Sequence, residues 1–150
     1  MVLEQLRDRL SGKRVVILGV GNPLRGDDGA GPALIERLLG KVDATLIDAG
    51  DVPENYLGPV EAARPQVVLI VDAALFGANP GDIALVEIEE LAGSNISTHN
   101  SSLALVARVI GSMTGAEVLL LAIQPETISF GAPLSPSVIK ALDYLEGLLR

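Results

Sequence analysis

The chain has no cysteine, no tryptophan and a single histidine, and its only other aromatics are two Phe and two Tyr. Without cysteine there are no disulfides, no thiolate metal ligands and no cysteine nucleophile. With aromatics at 3%, a core has to be built from Leu, Val, Ile and Ala. Positive charge is also scarce, at 11 Lys and Arg against 19 Asp and Glu, for a net charge of −8. The cations are scattered along the sequence and no basic patch is visible. Nucleic acid and anionic membranes are therefore not expected partners, since both require one. No apolar run approaches the ~20 residues that cross a bilayer. The first segment, "MVLEQLRDRLSGKR", carries charges every few residues, unlike a signal peptide. These absences describe a soluble cytoplasmic protein.

What is present suits one globular unit. Of the 150 residues, 49% are hydrophobic, enough for a sizeable core. No repeat, linker or low-complexity stretch divides the sequence, so one domain over 1–150 is expected. "RVVILGV" (Arg14 to Val20), "ATLID" (Ala44 to Asp48), "QVVLIVD" (Gln66 to Asp72) and "AEVLLLAI" (Ala116 to Ile123) are short apolar runs of the buried parallel kind. "DIALVEI" (Asp82 to Ile88) alternates more and follows the turn signal "NPG", which suits a strand antiparallel to its neighbours. Helical stripes lie between them. One runs over Leu34, Ile35, Leu38 and Leu39, stopped by Gly40, and another over Leu103, Val106, Ala107 and Ile110, stopped by Gly111. Ser135 and Pro136 open a last helix with Val138, Ile139, Leu142, Leu145 and Leu149 facing inward. Leu3, Leu6 and Leu10 suggest a short first helix, and Pro53 to Ala63 a weaker one broken by Gly58 and Pro59. Alternating strands and helices define an α/β sandwich.

The stretch "LGVGNPLRGDDGAGP" (Leu18 to Pro32) looks like a phosphate loop and fails as one. Gly19 and Gly21 begin a dinucleotide fingerprint, but Leu24 stands where the third glycine belongs, although Asp48 mimics the acid that follows the second strand. Gly21 and Gly26 have P-loop spacing, but Asp27 and Asp28 replace the lysine and the hydroxyl, and two carboxylates repel a pyrophosphate. Helix capping, worth about 0.3–1 kcal/mol, accounts for Asp27. Asp28 calls for another role. In an open α/β sheet, ligands gather at the carboxyl ends of the strands. Asp28 follows the first strand, and Asp72 ends the third, its neighbour if the order is doubly wound. His99, in "NISTHNSSL", opens the helix that must begin on the same edge. Each has a structural alternative: Asp72 could hold loop amides, and a lone histidine at a helix start is commonly a hydrogen-bonded structural residue. Together, two carboxylates and a neutral imidazole have the chemistry of a divalent-metal site with open positions. So few donors would hold a metal weakly, and a metal carried in by a substrate would complete the set. Ser101 and Ser102, placed in the first turns of that helix, lack the G-x-S-x-G elbow of a serine hydrolase.

"GVGNPLRGDDGAGP", "IVDAALFGANPG", "STHNSSL" and "IQPE" together closely resemble the nickel–iron hydrogenase maturation endopeptidases, nearest the branch that processes hydrogenase 3-type large subunits. The resemblance covers nearly the whole chain in order. It implies a three-layer α/β/α fold with a five-stranded mixed sheet of order 2-1-3-5-4, the fourth strand antiparallel. It implies a protease that removes a C-terminal extension from the large-subunit precursor after nickel insertion, with nickel carried by the substrate. By motif, the metal-contacting and catalytic positions fall on Asp28, Asp72 and His99, with Asn22, Asp27 and Glu126 as their neighbours. The partner implied is the nickel-loaded precursor, and the chain is taken to act as a monomer. A non-catalytic nickel chaperone using the same three ligands, and a nucleotide-binding α/β module, are the competing readings.

Overall fold

The computed structural model describes residues 3–150; Met1 and Val2, the first two positions of the expected 1–150 domain and of the charged opening segment, lie outside the described residues. A 3-10 turn (Leu3–Gln5) leads into α1 (Leu6–Leu10), and β1 (Val15–Gly19), α2 (Ala30–Leu38), β2 (Thr45–Asp48), α3 (Leu57–Ala62) and β3 (Val67–Leu75) follow. Next come β4 (Ile83–Glu87), α4 (Ile88–Leu91), β5 (Ser97–Thr98), α5 (Leu103–Thr114), β6 (Glu117–Ile123) and α6 (Pro136–Leu149). The sheet order is β2-β1-β3-β6-β4. The first four strands are parallel and β4 runs antiparallel to β6. This is the expected 2-1-3-5-4 order once the two-residue β5, which pairs antiparallel with the end of β3, is set aside.

The three layers follow from strand alternation. On β1, Val15 and Ile17 face one side and Val16 and Leu18 the other, and β3 and β6 repeat the pattern. One face receives α2 and α6 through Leu34, Leu38, Val138, Leu142 and Leu145. The opposite face receives α3 and α5 through Val60, Leu103, Val106 and Ile110. Both faces of β1 are buried along its whole length, which is why "VVILG" is continuously apolar rather than alternating. Each such Leu, Ile or Val contributes about 1.5–3 kcal/mol by leaving water.

Several boundaries differ from the sequence reading. Gly111 does not stop α5: the helix continues to Thr114 and ends at Gly115, which has φ 69°. Leu39 lies past the end of α2 and is exposed, because its own ψ of 125° has left the helix before Gly40 (φ 74°) turns the chain. On α6 the inward stripe is completed by Ala141, while Ile139 is 38% exposed. The weak stretch from Pro53 resolves into a 3-10 turn (Pro53–Tyr56) followed by α3. Gly58 and Pro59 fall in the first turn of α3, where a missing N–H costs little. As expected, Ser135 caps α6, its hydroxyl accepting from the Val138 amide.

Candidate active site

The glycine loop after β1 is shaped by close approach. Gly21 adopts φ 140°, and a Cβ there would lie 1.8 Å from the Asp28 carbonyl oxygen. The loop can therefore fold back on the turn that carries Asp28 only because residue 21 has no side chain. Gly31, at the start of α2, would place a Cβ 2.5 Å from the carbonyls of both Val20 and Val71, so the helix is pressed directly onto the end of β1 and the middle of β3. The glycines serve this packing, and the 3-10 turn Gly26–Gly29 delivers both aspartates into the interior.

The two aspartates then part company. Asp27 is fully buried and does not cap α2, since no side-chain cap bond forms there. Its Oδ1 accepts from the Ser135 amide at 2.7 Å, and its Oδ2 accepts from the Ser135 hydroxyl and the Glu126 amide at 2.8 and 2.9 Å, with the Thr127 amide at 3.3 Å. It clamps the loop after β6 to the loop after β1. Asp28, also buried, accepts the Asn22 amide at 2.9 Å through Oδ2 and lines a cleft.

That cleft, of about 270 Å³, is lined by Asp28, Asp72 and His99, with Asp51, Glu54 and Ser101 beside them. The three residues singled out by sequence thus share one opening at the carboxyl edge of the sheet. Asp72 does not end its strand, as the sequence suggested. Pairing of β1 with β3 stops at Val71, but β3 runs on to Leu75 because Ala74 and Leu75 pair with β5. Asp72 is 1% exposed, and neither carboxyl oxygen has a hydrogen-bond partner. Burial first, and the charge of Asp28 second, hold its pKa well above the ordinary 3.8. The Ala73 amide offsets part of this rise without reaching hydrogen-bond geometry to either oxygen.

His99 lies in a bend between β5 and α5, exposed, rather than at the helix start itself. Its neighbours fix the segment. Thr98 Oγ1 donates to the Asn100 carbonyl, Asn100 Nδ2 donates to the Asp51 carbonyl, and Asn100 Oδ1 accepts from the Ser102 amide and hydroxyl. Ser102 is the residue preceding α5, with its hydroxyl committed to Asn100, and Ser101 lies in the preceding turn, so both precede the helix rather than sitting in its first turns. Among the described residues, no three His, Asp or Glu side chains converge closely enough to hold an ion by themselves; His99 stands on the rim and the two aspartates on the floor.

Asp51 and Glu54 are members of the cleft that the sequence reading passed over. They lie after β2, and every loop that follows a parallel strand emerges on this edge, which is the signal that could have found them. The motif "IQPE" also acquires a meaning. Gln124 Oε1 accepts from the Phe76 amide at 2.9 Å, holding the loop after β3, and the Glu126 amide holds Asp27.

The result is an α/β/α protein with a carboxylate-rich cleft lined by no Lys or Arg, where the potential is negative. The chain belongs to the hydrogenase maturation protease family: the family model of that description matches residues 32–149. The hydrogenase 3 maturation protease of Escherichia coli is 37% identical over 131 residues, covering 85% of this chain and 83% of the relative. The crystal structure of a nickel–iron hydrogenase maturation protease HycI from Thermococcus kodakarensis superposes with a TM-score of 0.86 at 35% identity, covering 95% of this chain and 94% of that one. The crystal structure of a hydrogenase 3 maturation protease gives 0.81 at 34% identity, covering 93% and 91%. No helix among the described residues is long and apolar enough to cross a membrane.

Proposed function

We propose that this protein is an endopeptidase that removes the C-terminal extension of a nickel–iron hydrogenase large-subunit precursor, and that it recognises the precursor by nickel already inserted there. The observation that carries this reading is Asp72: a buried carboxylate with no donor to either oxygen, in a cleft shared with Asp28 and His99. Leaving such a group without a partner is costly, and a cation that arrives with the substrate is the partner its chemistry fits. The donor set of two carboxylates and one imidazole suits nickel as a borderline metal whose remaining ligands come from the precursor.

Each side chain has a defined part in that reading. Asp72 contributes oxygens that no internal donor competes for. Asp28 is oriented by the Asn22 amide through Oδ2, which leaves Oδ1 for the cleft. His99, on the rim, closes over the bound segment from the clamp made by Asn100. Asp51 and Glu54 add negative potential that draws the cation inward. Bound nickel supplies Lewis acidity that polarises the neighbouring carbonyl or water. The protein acts on this substrate as a monomer in the cytoplasm, and nickel is cargo of the substrate rather than a resident cofactor.

The test is incubation of the purified protein with nickel-loaded and nickel-free large-subunit precursor, followed by intact mass. Trimming of the loaded precursor alone is expected. Equal trimming of both forms overturns nickel recognition, and trimming of neither form overturns the protease reading in favour of a chaperone.

A further inference from the structure

The eleven cations look scattered in the sequence, but the fold gathers part of them. At the end of the sheet opposite the carboxylate cleft lies a second cavity of about 550 Å³, set at the amino ends of β1 and β2. Leu10, Val15, Ile17, Val42 and Leu149 give it an apolar part beside the polar Ser11 and Gln66, and it is also lined by Arg7, Lys13 and Arg14 with one acid, Asp43. Elsewhere Arg9, Arg37 and Lys41 are spent on ion pairs with acids, and Arg150, which also lines the cavity, lies 3.9 Å from Glu146. Among the described residues Arg7, Lys13 and Arg14 make no such pair. Nor is Arg14 loosely tethered: its amide donates to Gln66 Oε1 at 2.9 Å and its Nε to the Arg64 carbonyl at 2.8 Å. Of the seven cations that form no ion pair among the described residues, this chain of net charge −8 thus brings three, Arg7, Lys13 and Arg14, to one partly apolar hollow.

We propose that this cavity binds a small amphipathic anion, with an apolar body against Leu10, Val15 and Leu149 and a carboxylate or phosphate head held by Arg7, Lys13 and Arg14. The volume lies within the range of ordinary small-molecule pockets, about 300–1,000 Å³. Guanidinium groups match both head groups bidentately. A macromolecule engaged at the carboxylate cleft leaves this end of the sheet free, so the site is separate from the hydrolytic one and does not depend on how that one works.

The full-length protein is titrated with decanoate and with decyl phosphate, below their micellar concentrations, while amide NMR shifts and heats of binding are followed. Decanol, which has no charge, and acetate, which has no apolar body, are the comparators. Saturable one-to-one binding of a decyl anion is expected, about tenfold or more tighter than either comparator, with shifts centred on Val15, Val42 and Leu149. Preference for one decyl anion supports the site and identifies its head group. The double variant Arg7→Glu with Lys13→Glu, both exposed positions, is expected to weaken binding about tenfold or more with an unchanged melting temperature. If that variant does not fold, Arg7→Gln with Lys13→Gln makes the same measurement. Absence of saturable binding, equal binding of decanol, shifts confined to the carboxylate cleft, or undiminished affinity in a folded variant overturns the proposal.

Discussion

Two buried aspartates, Asp27 and Asp72, live under opposite regimes. Both are at most 1% exposed. Asp27 is surrounded by four donors contributed by Glu126, Thr127 and Ser135, whereas Asp72 has none and faces a second carboxylate. A buried carboxylate with a full complement of hydrogen bonds holds a structure together, while one without them costs stability. Hydrogen bonding distinguishes the two residues where exposure does not.

The comparison can be broken in a graded series. The largest effect is expected on precursor trimming: Asp72→Asn or His99→Ala lowers the rate roughly a thousandfold, about 4 kcal/mol of barrier, while circular dichroism stays native. Full trimming by either variant removes these residues from the site. Next comes Asp27→Ala, expected to destabilise the fold by about 3–4 kcal/mol, because several amides lose a charged acceptor in the interior. That corresponds to roughly a 10 °C fall in melting temperature, and a shift within error would show that the clamp carries no stability.

Asp72→Asn is expected to move stability the other way, raising it by about 1–2 kcal/mol at pH 7, because it removes a buried carboxylate that lacks hydrogen-bond partners. The sign follows from linkage. The folded-state pKa of Asp72 is raised above its unfolded value, so the wild type has its full stability below the ordinary 3.8 and loses it as pH rises through the folded value. The gain in the variant should therefore vanish in acid, as checked by denaturant melts of metal-free protein across pH. A constant gain at all pH values would mean that ionisation is not its cause. Smallest is Ser101→Ala, which should trim within about twofold of wild type, an effect below ~0.5 kcal/mol; inactivity with an intact fold would point to a serine nucleophile.

Much of the frame was legible because it is written in local pattern. Runs such as "VVILG" and "VVLIVD" can be buried on both faces only within a parallel sheet, and the antiparallel β4 showed itself by alternation after a turn. Asp28, Asp72 and His99 could be placed on one edge from connectivity alone. What stayed hidden depends on distance along the chain. Asp27 looked like a cap because its donors lie about a hundred residues downstream. Gly111 looked like a stop because glycine inside a helix and glycine after one are the same letter, and only the left-handed φ of Gly115 settles the end. The clustering of Arg7, Lys13 and Arg14 against β2 and the end of α6 is likewise a product of folding rather than of spacing.

The reach of the Asp27 clamp, 108 residues to Ser135, also governs when the molecule becomes competent. A nascent polypeptide emerging from the ribosome can pair β1 with β3 early, yet its first loop has no anchor until the segment through Ser135 has been translated. Contacts of such high order form late. Until that segment has been made, the Asp27 carboxylate lacks the Ser135, Glu126 and Thr127 donors that fix the loop beside Asp28.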